Sequence, residues 1–296
     1  MTRSKLAIAL VLGALAGGAA AQELTGTLKK VKELGAITVG HRESSIPFSY
    51  LDDRQQPIGY AMDLCMKIVD AVKAELKMPN LQVKLQPVTS SNRIPLLQNG
   101  TIDLECGSTT NSVQRQQQVA FGPTYFVINV TAAVKKSSNI NSLADLNGKT
   151  ISTTSGTTSV PLFKAYKKTE TANVKEIYGK DHAESFLLMA DDRAAAFVMD
   201  DILLAGQIAN SKTPSAFRIL EESLRQEPYS MMLRKDDPQF KALVDRSVGA
   251  VMKSGEIERI YAKWFTSPIP PKGINLNFPA TPPIRDAFAN PNDKGV

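Results

Sequence analysis

Residues 105–123 read ECGSTTNSVQRQQQVAFGP. An alternating stretch, Thr101-Ile102-Asp103-Leu104-Glu105-Cys106, runs into them and predicts a strand. Gly107 then opens a run of short hydroxyl and amide residues, Ser108, Thr109, Thr110, Asn111 and Ser112, and Arg115 follows. That order suits anion capture. Glycine lets the backbone approach a ligand closely. Hydroxyls and free amides at a helix start accept a carboxylate, and an arginine one turn on can clamp it with two parallel hydrogen bonds. Alone, the same stretch also reads as a polar loop capped by a hydroxyl.

Working outward, strands and short helices alternate on both sides. Upstream lie a short helix over Leu24–Gly35 and a strand over Ala36–Gly40, followed by His41-Arg42-Glu43-Ser44-Ser45. Polar residues after an α/β strand stand where such folds bind ligands. Tyr60–Met78 predicts a helix with Ala61, Leu64, Cys65, Ile68, Val72 and Leu76 on one stripe. Leu81, Val83 and Leu85 alternate as a strand, and Ile94–Asn99 forms a short helix ended by Gly100.

Downstream, Tyr125–Val134 is an apolar strand, and a second α/β block begins at Leu143. Strands are predicted over Lys149–Thr154, Val174–Tyr178 and Arg193–Met199, with helices opening at Ser155, at Asp181 and at Ile202. Phe217–Leu220 and Tyr229–Leu233 read as strands. Asp237-Pro238 starts a helix, and Glu256–Phe265 continues it past Gly255. Residues 266–296 hold seven of the 17 prolines and are expected to be extended and loop-like. Two successive blocks of this kind predict an α/β fold with mainly parallel sheets.

Residues 1–21 have a basic start, an apolar Leu6–Gly18 and an Ala19-Ala20-Ala21 junction, the pattern of a secretory signal peptide. Losing Arg3 and Lys5 lowers the formal charge from +6 to +4, a modest excess that favours acidic small molecules or surfaces. Scattered basic residues and 6% aromatics argue against a nucleic-acid partner. Cys65 and Cys106 could pair in an oxidising compartment or sit apart as buried small hydrophobes. Zinc spacings, nucleophile-elbow and S-x-x-K patterns and a dinucleotide fingerprint are absent, so no metal, cofactor or catalytic nucleophile is indicated. Gly148-Lys149-Thr150 imitates the end of a phosphate-binding loop, but Leu143 stands where its first glycine belongs.

Six segments together resemble the periplasmic glutamate/aspartate-binding proteins of bacterial ABC amino-acid importers, solute-binding protein family 3. They are His41–Tyr50, Ser90–Gly100, Glu105–Asn111, Thr154–Ser159, Lys180-Asp181-His182 and Leu233–Pro238. The resemblance covers nearly the whole chain after residue 21. It implies the type II two-lobed periplasmic binding protein fold, with a ligand cleft between lobes joined by two crossing strands. Residues 22–131 and 232–296 would form lobe one and 132–231 lobe two, with crossings near Val130–Val134 and Tyr229–Leu233. It also implies a periplasmic, monomeric, non-catalytic protein that delivers L-glutamate or L-aspartate to a membrane permease.

Carried over residue by residue, Arg115, Ser108, Thr110 and Thr158 resemble the family's clamp for the α-carboxylate. Asp200 resembles the acid that takes the α-ammonium. Arg42, Arg93, Ser90 and His182 resemble the group that holds the side-chain carboxylate. By position alone Arg42 and Arg93 would be solvated charges, His182 a helix-start histidine and Asp200 a strand-end cap. Asp201, Thr157 and Ser91 stand one position from these roles. Removal of Arg42 or Arg93 is expected to weaken acidic ligands far more than it alters folding. Two further classes fit the fold by analogy: a periplasmic dehydratase with His182 as its acid–base group, and a sensor partner.

Overall fold

The computed structural model describes residues 23–170 and 173–296, so the signal-peptide reading of residues 1–21 lies outside the described residues. Ten helices and twelve strands follow along these residues. The first run is α1 (Gly26–Leu34), β1 (Ala36–His41), β2 (Ser44–Ser45), β3 (Ser49–Leu51), β4 (Pro57–Ile58), α2 (Tyr60–Leu76), β5 (Gln82–Pro87) and α3 (Arg93–Gln98). Next come β6 (Leu104–Cys106), α4 (Val113–Gln116), β7 (Val119–Lys135), β8 (Thr150–Thr154), α5 (Ser159–Thr169), β9 (Lys175–Gly179) and α6 (His182–Ala190). The chain ends with β10 (Ala196–Asp200), α7 (Asp201–Asn210), β11 (Phe217–Ile219), β12 (Arg225–Arg234), α8 (Pro238–Lys253), α9 (Glu256–Phe265) and α10 (Pro282–Ala289).

The predicted stripe of α2 is buried throughout, and Asp237 caps α8 by accepting from the Phe240 amide, with Pro238 at the first helical position. The main sheet runs β5-β1-β6-β12-β7-β10-β8-β9, with β11 on β7. β1 pairs in parallel with β5 and β6, and β8 pairs in parallel with β9 and β10. Between these two parallel groups lie β7 and β12, antiparallel to each other and shared by both lobes. β12 meets β6 through Met232 and Leu233, whereas β7 meets β10 through Val130–Val134. The sheet is therefore parallel at its flanks and antiparallel where the chain crosses. An aromatic group backs the crossing strands: Phe126 lies 4.9 Å from Phe48 and 4.8 Å from Phe265, between ring centroids.

Two expectations change. β7 begins at Val119 and runs through Gly122-Pro123, because β12 pairs with Val119–Phe121 as well. Residues 266–296 are not uniformly extended: Pro282 and Pro283 occupy the first turn of α10, where no amide donor is lost, and Ile284, Ala287 and Phe288 bury its inner face. Cys65 on α2 and Cys106 at the end of β6 form a disulfide with Cα atoms 6.1 Å apart, which decides between the two readings of the cysteines. Among the described residues no helix is long and apolar enough to cross a membrane.

Candidate functional site

Every predicted site residue stands at or just beyond the C-terminal end of a parallel strand, where an α/β sheet presents its loops. Arg42 follows β1, Ser90 and Arg93 follow β5, and Ser108, Thr110 and Arg115 follow β6. From the other lobe, Thr158 follows β8, His182 follows β9, and Asp200 closes β10. All but Thr158 are buried, Arg42 and Arg93 almost completely at 1% and 2% exposure. The reading of Arg42 and Arg93 as solvated charges is therefore overturned.

The two buried cations sit against a carboxylate and a histidine. Arg93 Nη1 donates to the Ser108 carbonyl at 3.2 Å and to the Thr109 hydroxyl, and lies 3.7 Å from Glu105 Oε1. The Thr109 hydroxyl donates onward to Glu105 Oε2. Glu105 is fully buried. Gly107 makes room for this arrangement: a Cβ there would fall 2.5 Å from Glu105 Oε1 and 2.8 Å from Arg42 Cγ. Arg42 Nη2 lies 3.4 Å from His182 Nε2. The guanidinium can only donate, so Nε2 accepts and the ring proton sits on Nδ1, which faces the Thr154 hydroxyl at 3.1 Å. Burial, reinforced by Arg42 and Arg93, holds the His182 pKa well below its usual value, so the ring is neutral. Burial and then Arg93 pull Arg42 down to about 10.

Arg115 joins the lobes. Its Nη1 donates to the Thr110 carbonyl at 2.9 Å, and its Nη2 donates to the Gly156 carbonyl of the opposite lobe at 3.1 Å. The Thr110 and Thr158 hydroxyls meet at 3.3 Å, and Thr158 donates to Glu227 on β12 at 2.6 Å. Gly156 has a φ of +78°, and a Cβ there would lie 2.7 Å from the Ser90-Ser91 backbone. Gln207 Nε2 donates to the Ser44 carbonyl at 2.7 Å across the same divide. The lobes are thus closed upon one another.

Asp200 closes β10 and stands within electrostatic reach of Arg115. Tyr229 donates its hydroxyl to Asp200 Oδ2. Burial first and the nearby Glu227 second push the Asp200 pKa up to about 7. Buried polar atoms without a protein hydrogen bond include Arg42 Nη1, Ser90 Oγ, Arg93 Nε and Asp200 Oδ1. Four predicted site residues therefore each carry a buried polar atom without a protein hydrogen bond, a costly arrangement unless a polar partner completes it. The neighbouring positions behave differently. Asp201 accepts from Asn129 Nδ2 at 3.0 Å and from the Ile202 amide at 2.7 Å, Thr157 turns back onto the Thr154 carbonyl at 2.7 Å, and Ser91 is exposed.

Sequence reasoning did not single out Glu105, Glu227 or Tyr229. Glu105 lay within an alternating strand, and its cue was a carboxylate at an inward position ending a central strand. Glu227 and Tyr229 gave no local cue, because pairing along β12 alone brings them to the site. Chemically, two arginines with one counter-carboxylate favour an anionic group at one end. Arg115 with the neighbouring hydroxyls offers donors that suit a second anion, and the buried carboxyl of Asp200 offers an acceptor that suits a cation.

A closed two-lobed α/β cleft of this chemistry defines a solute-binding protein. The chain belongs to the bacterial extracellular solute-binding proteins, family 3, whose model matches residues 37–267. It is 48% identical, over 98% of its length and 96% of the relative's, to the "Glutamate/aspartate import solute-binding protein" of Escherichia coli (strain K12). It is also 48% identical to the "L-glutamate/L-aspartate-binding protein" of Pseudomonas aeruginosa, over 99% of this chain and 97% of that one. Among solved structures, the cysteine-binding protein from Campylobacter jejuni superposes with a TM-score of 0.71 at 26% identity, covering 81% of this chain and 93% of that chain. These relatives are named as binding proteins, which bears out a binding module over a dehydratase.

Proposed function

We propose that the chain captures L-glutamate or L-aspartate between its lobes in the periplasm, as a monomer, and delivers it to the membrane permease of an ABC importer. Lobe one would comprise residues 22–131 and 232–296, and lobe two residues 132–231. Arg115, with Ser108, Thr110 and Thr158, holds the α-carboxylate. Asp200 takes the α-ammonium, and Arg42, Arg93, Ser90 and His182 hold the side-chain carboxylate.

The observation that carries this reading is the charge at the Arg42–Arg93 end. Two buried guanidiniums share one buried carboxylate, Glu105, with the half-buried Asp181 also acting on Arg42, so the fully buried charge there is net positive and favours a further anion. A ligand with a neutral side chain would leave a buried cation poorly compensated. The names of the near full-length relatives point the same way.

The test is calorimetric titration of the unfolded and refolded mature chain with L-glutamate, L-aspartate, L-glutamine and a dicarboxylate lacking the amine. Tight binding of the first two, with the others much weaker, supports both the side-chain subsite and the ammonium subsite. Equal binding of the plain dicarboxylate would overturn the amino-acid assignment.

A further inference from the structure

The family match stops at residue 267, and the chain beyond it returns to the ligand loop. After α10, residues 290–296 lie along Asn111–Val113 and against β7. The Val113 amide donates to the Val296 carbonyl at 2.9 Å, and the Val296 amide donates to the Asn111 carbonyl at 3.2 Å. Asn111 Nδ2 and Gln116 Nε2 both donate to the Asp293 carbonyl at 2.9 Å. On the opposite face the Asn111 amide donates to the Pro228 carbonyl of β12 at 2.8 Å. The loop is held from two sides.

What it carries is α4, four residues long, with Arg115 in it. A single turn does not hold itself in water, so the place of Arg115 depends on what grips the loop. Segment 290–296 is itself anchored: Lys241 pairs with Asp293 at 3.0 Å and the Thr124 amide donates to the Asn292 carbonyl at 2.8 Å, while in the preceding α10 Phe288 packs 6.1 Å from Tyr261 between ring centroids. We propose that residues 290–296 are a positioning strap for the Arg115 clamp, setting ligand affinity through Asn111–Gln116. This rests on the proposed role of Arg115.

Gly295 offers a direct test. A Cβ there would fall 2.9 Å from the Ser112 carbonyl carbon and the Val113 nitrogen, and its φ lies outside the range that favours glycine. Gly295→Val therefore wedges the strap from the loop without straining its own backbone. A second variant, ended after Asn290, removes the strap and keeps α10. Both are titrated with L-glutamate and L-aspartate, and amide exchange at Val113–Gln116 is followed without ligand.

The expected result is faster exchange at Val113–Gln116 and affinities about tenfold weaker for both acids by the same factor, since the clamp serves the group they share. Unchanged affinities would overturn the strap, as would a loss confined to one acid. Failure of the wild type to bind either acid would sink the functional reading instead. The strap would then stand or fall on the exchange at Val113–Gln116, with wild-type rates in both variants overturning it.

Discussion

Tyr229, on a strand shared by the two lobes, donates its phenolic proton to Oδ2 of Asp200, and the other oxygen of that buried carboxylate has no protein partner. Asp200 therefore depends on the closed interior for its protonation state. Burial and Glu227 raise its pKa to about 7, Asp201 adds to the rise, and Tyr229 and Arg115 oppose it. Below about pH 7 the ligand-free carboxyl is protonated. A bound ammonium favours the anion, so capture at lower pH must release a proton. Affinity for L-glutamate should rise from pH 5 to pH 7, by at most about tenfold per unit, and level off above. Burial, Arg42 and Arg93 hold the His182 pKa well below its usual value, so the ring is neutral near pH 7 and adds no slope there. Stability without ligand runs the other way. From about pH 4 to 7 the folded state holds a proton that the unfolded chain has released, so folding weakens as pH rises. Titrations across pH 5–8 check this: a flat wild-type profile, or a slope that survives in Asp200→Asn, contradicts the role of Asp200.

The two arginines at the other end are not equivalent. Arg42 contacts neutral His182 and keeps Nη1 free of protein partners. Arg42→Ala should cost L-glutamate about 2–5 kcal/mol of affinity, leave L-glutamine binding little changed and leave folding nearly intact. Arg93→Ala also strips Glu105 of its salt-bridge partner, leaving it only the Arg42 and Arg115 charges farther off, and breaking a buried pair costs up to about 3–5 kcal/mol of folding. This narrows the expectation that removing either arginine weakens acidic ligands far more than it alters folding. Urea denaturation beside the titrations separates the cases, and equal loss of stability in the two variants would contradict the pairing of Arg93 with Glu105.

The legible part of the site was the part encoded by local order. Arg115 behind a Gly-hydroxyl run and the polar residues after β1 could be read as loop chemistry, and the resemblance then assigned their partners. Helices α2 and α8 were legible because an apolar stripe and a Pro-started cap are local patterns. Glu105, Glu227 and Tyr229 were not, since their roles follow from strand pairing. Nor was the disulfide, because only the fold brings α2 beside the end of β6. Helix α10 was hidden by its prolines, which break a helix interior but suit a first turn.

Closure itself rests on a glycine in α7. A Cβ at Gly206 would fall 2.5 Å from the Ile46 carbonyl oxygen of the facing lobe. Alanine is the better helix former by about 1 kcal/mol, so Gly206→Ala should leave ligand-free stability unchanged or raised while opposing closure. The expected outcome is weaker L-glutamate binding and a larger radius of gyration with ligand than the wild type, by small-angle X-ray scattering. Wild-type affinity with wild-type compaction would show that this contact does not limit closure.

The disulfide sits at the root of the ligand loop, since Cys106 ends β6 and Gly107 begins the run that leads to Arg115. Its partner is 41 residues away in sequence, so the closed loop restricts the unfolded chain by about 4 kcal/mol. Cys65→Ala combined with Cys106→Ala should lower the urea midpoint accordingly. A ligand that binds only the folded state returns part of this: at a hundred times its dissociation constant, about 2.7 kcal/mol. L-Glutamate should therefore recover more than half of the lost stability if the loop still forms in the variant. A midpoint that falls and does not respond to L-glutamate would mean that the bond also holds the Gly107–Arg115 loop in its binding shape. An unchanged midpoint would show that the cross-link contributes little to folding.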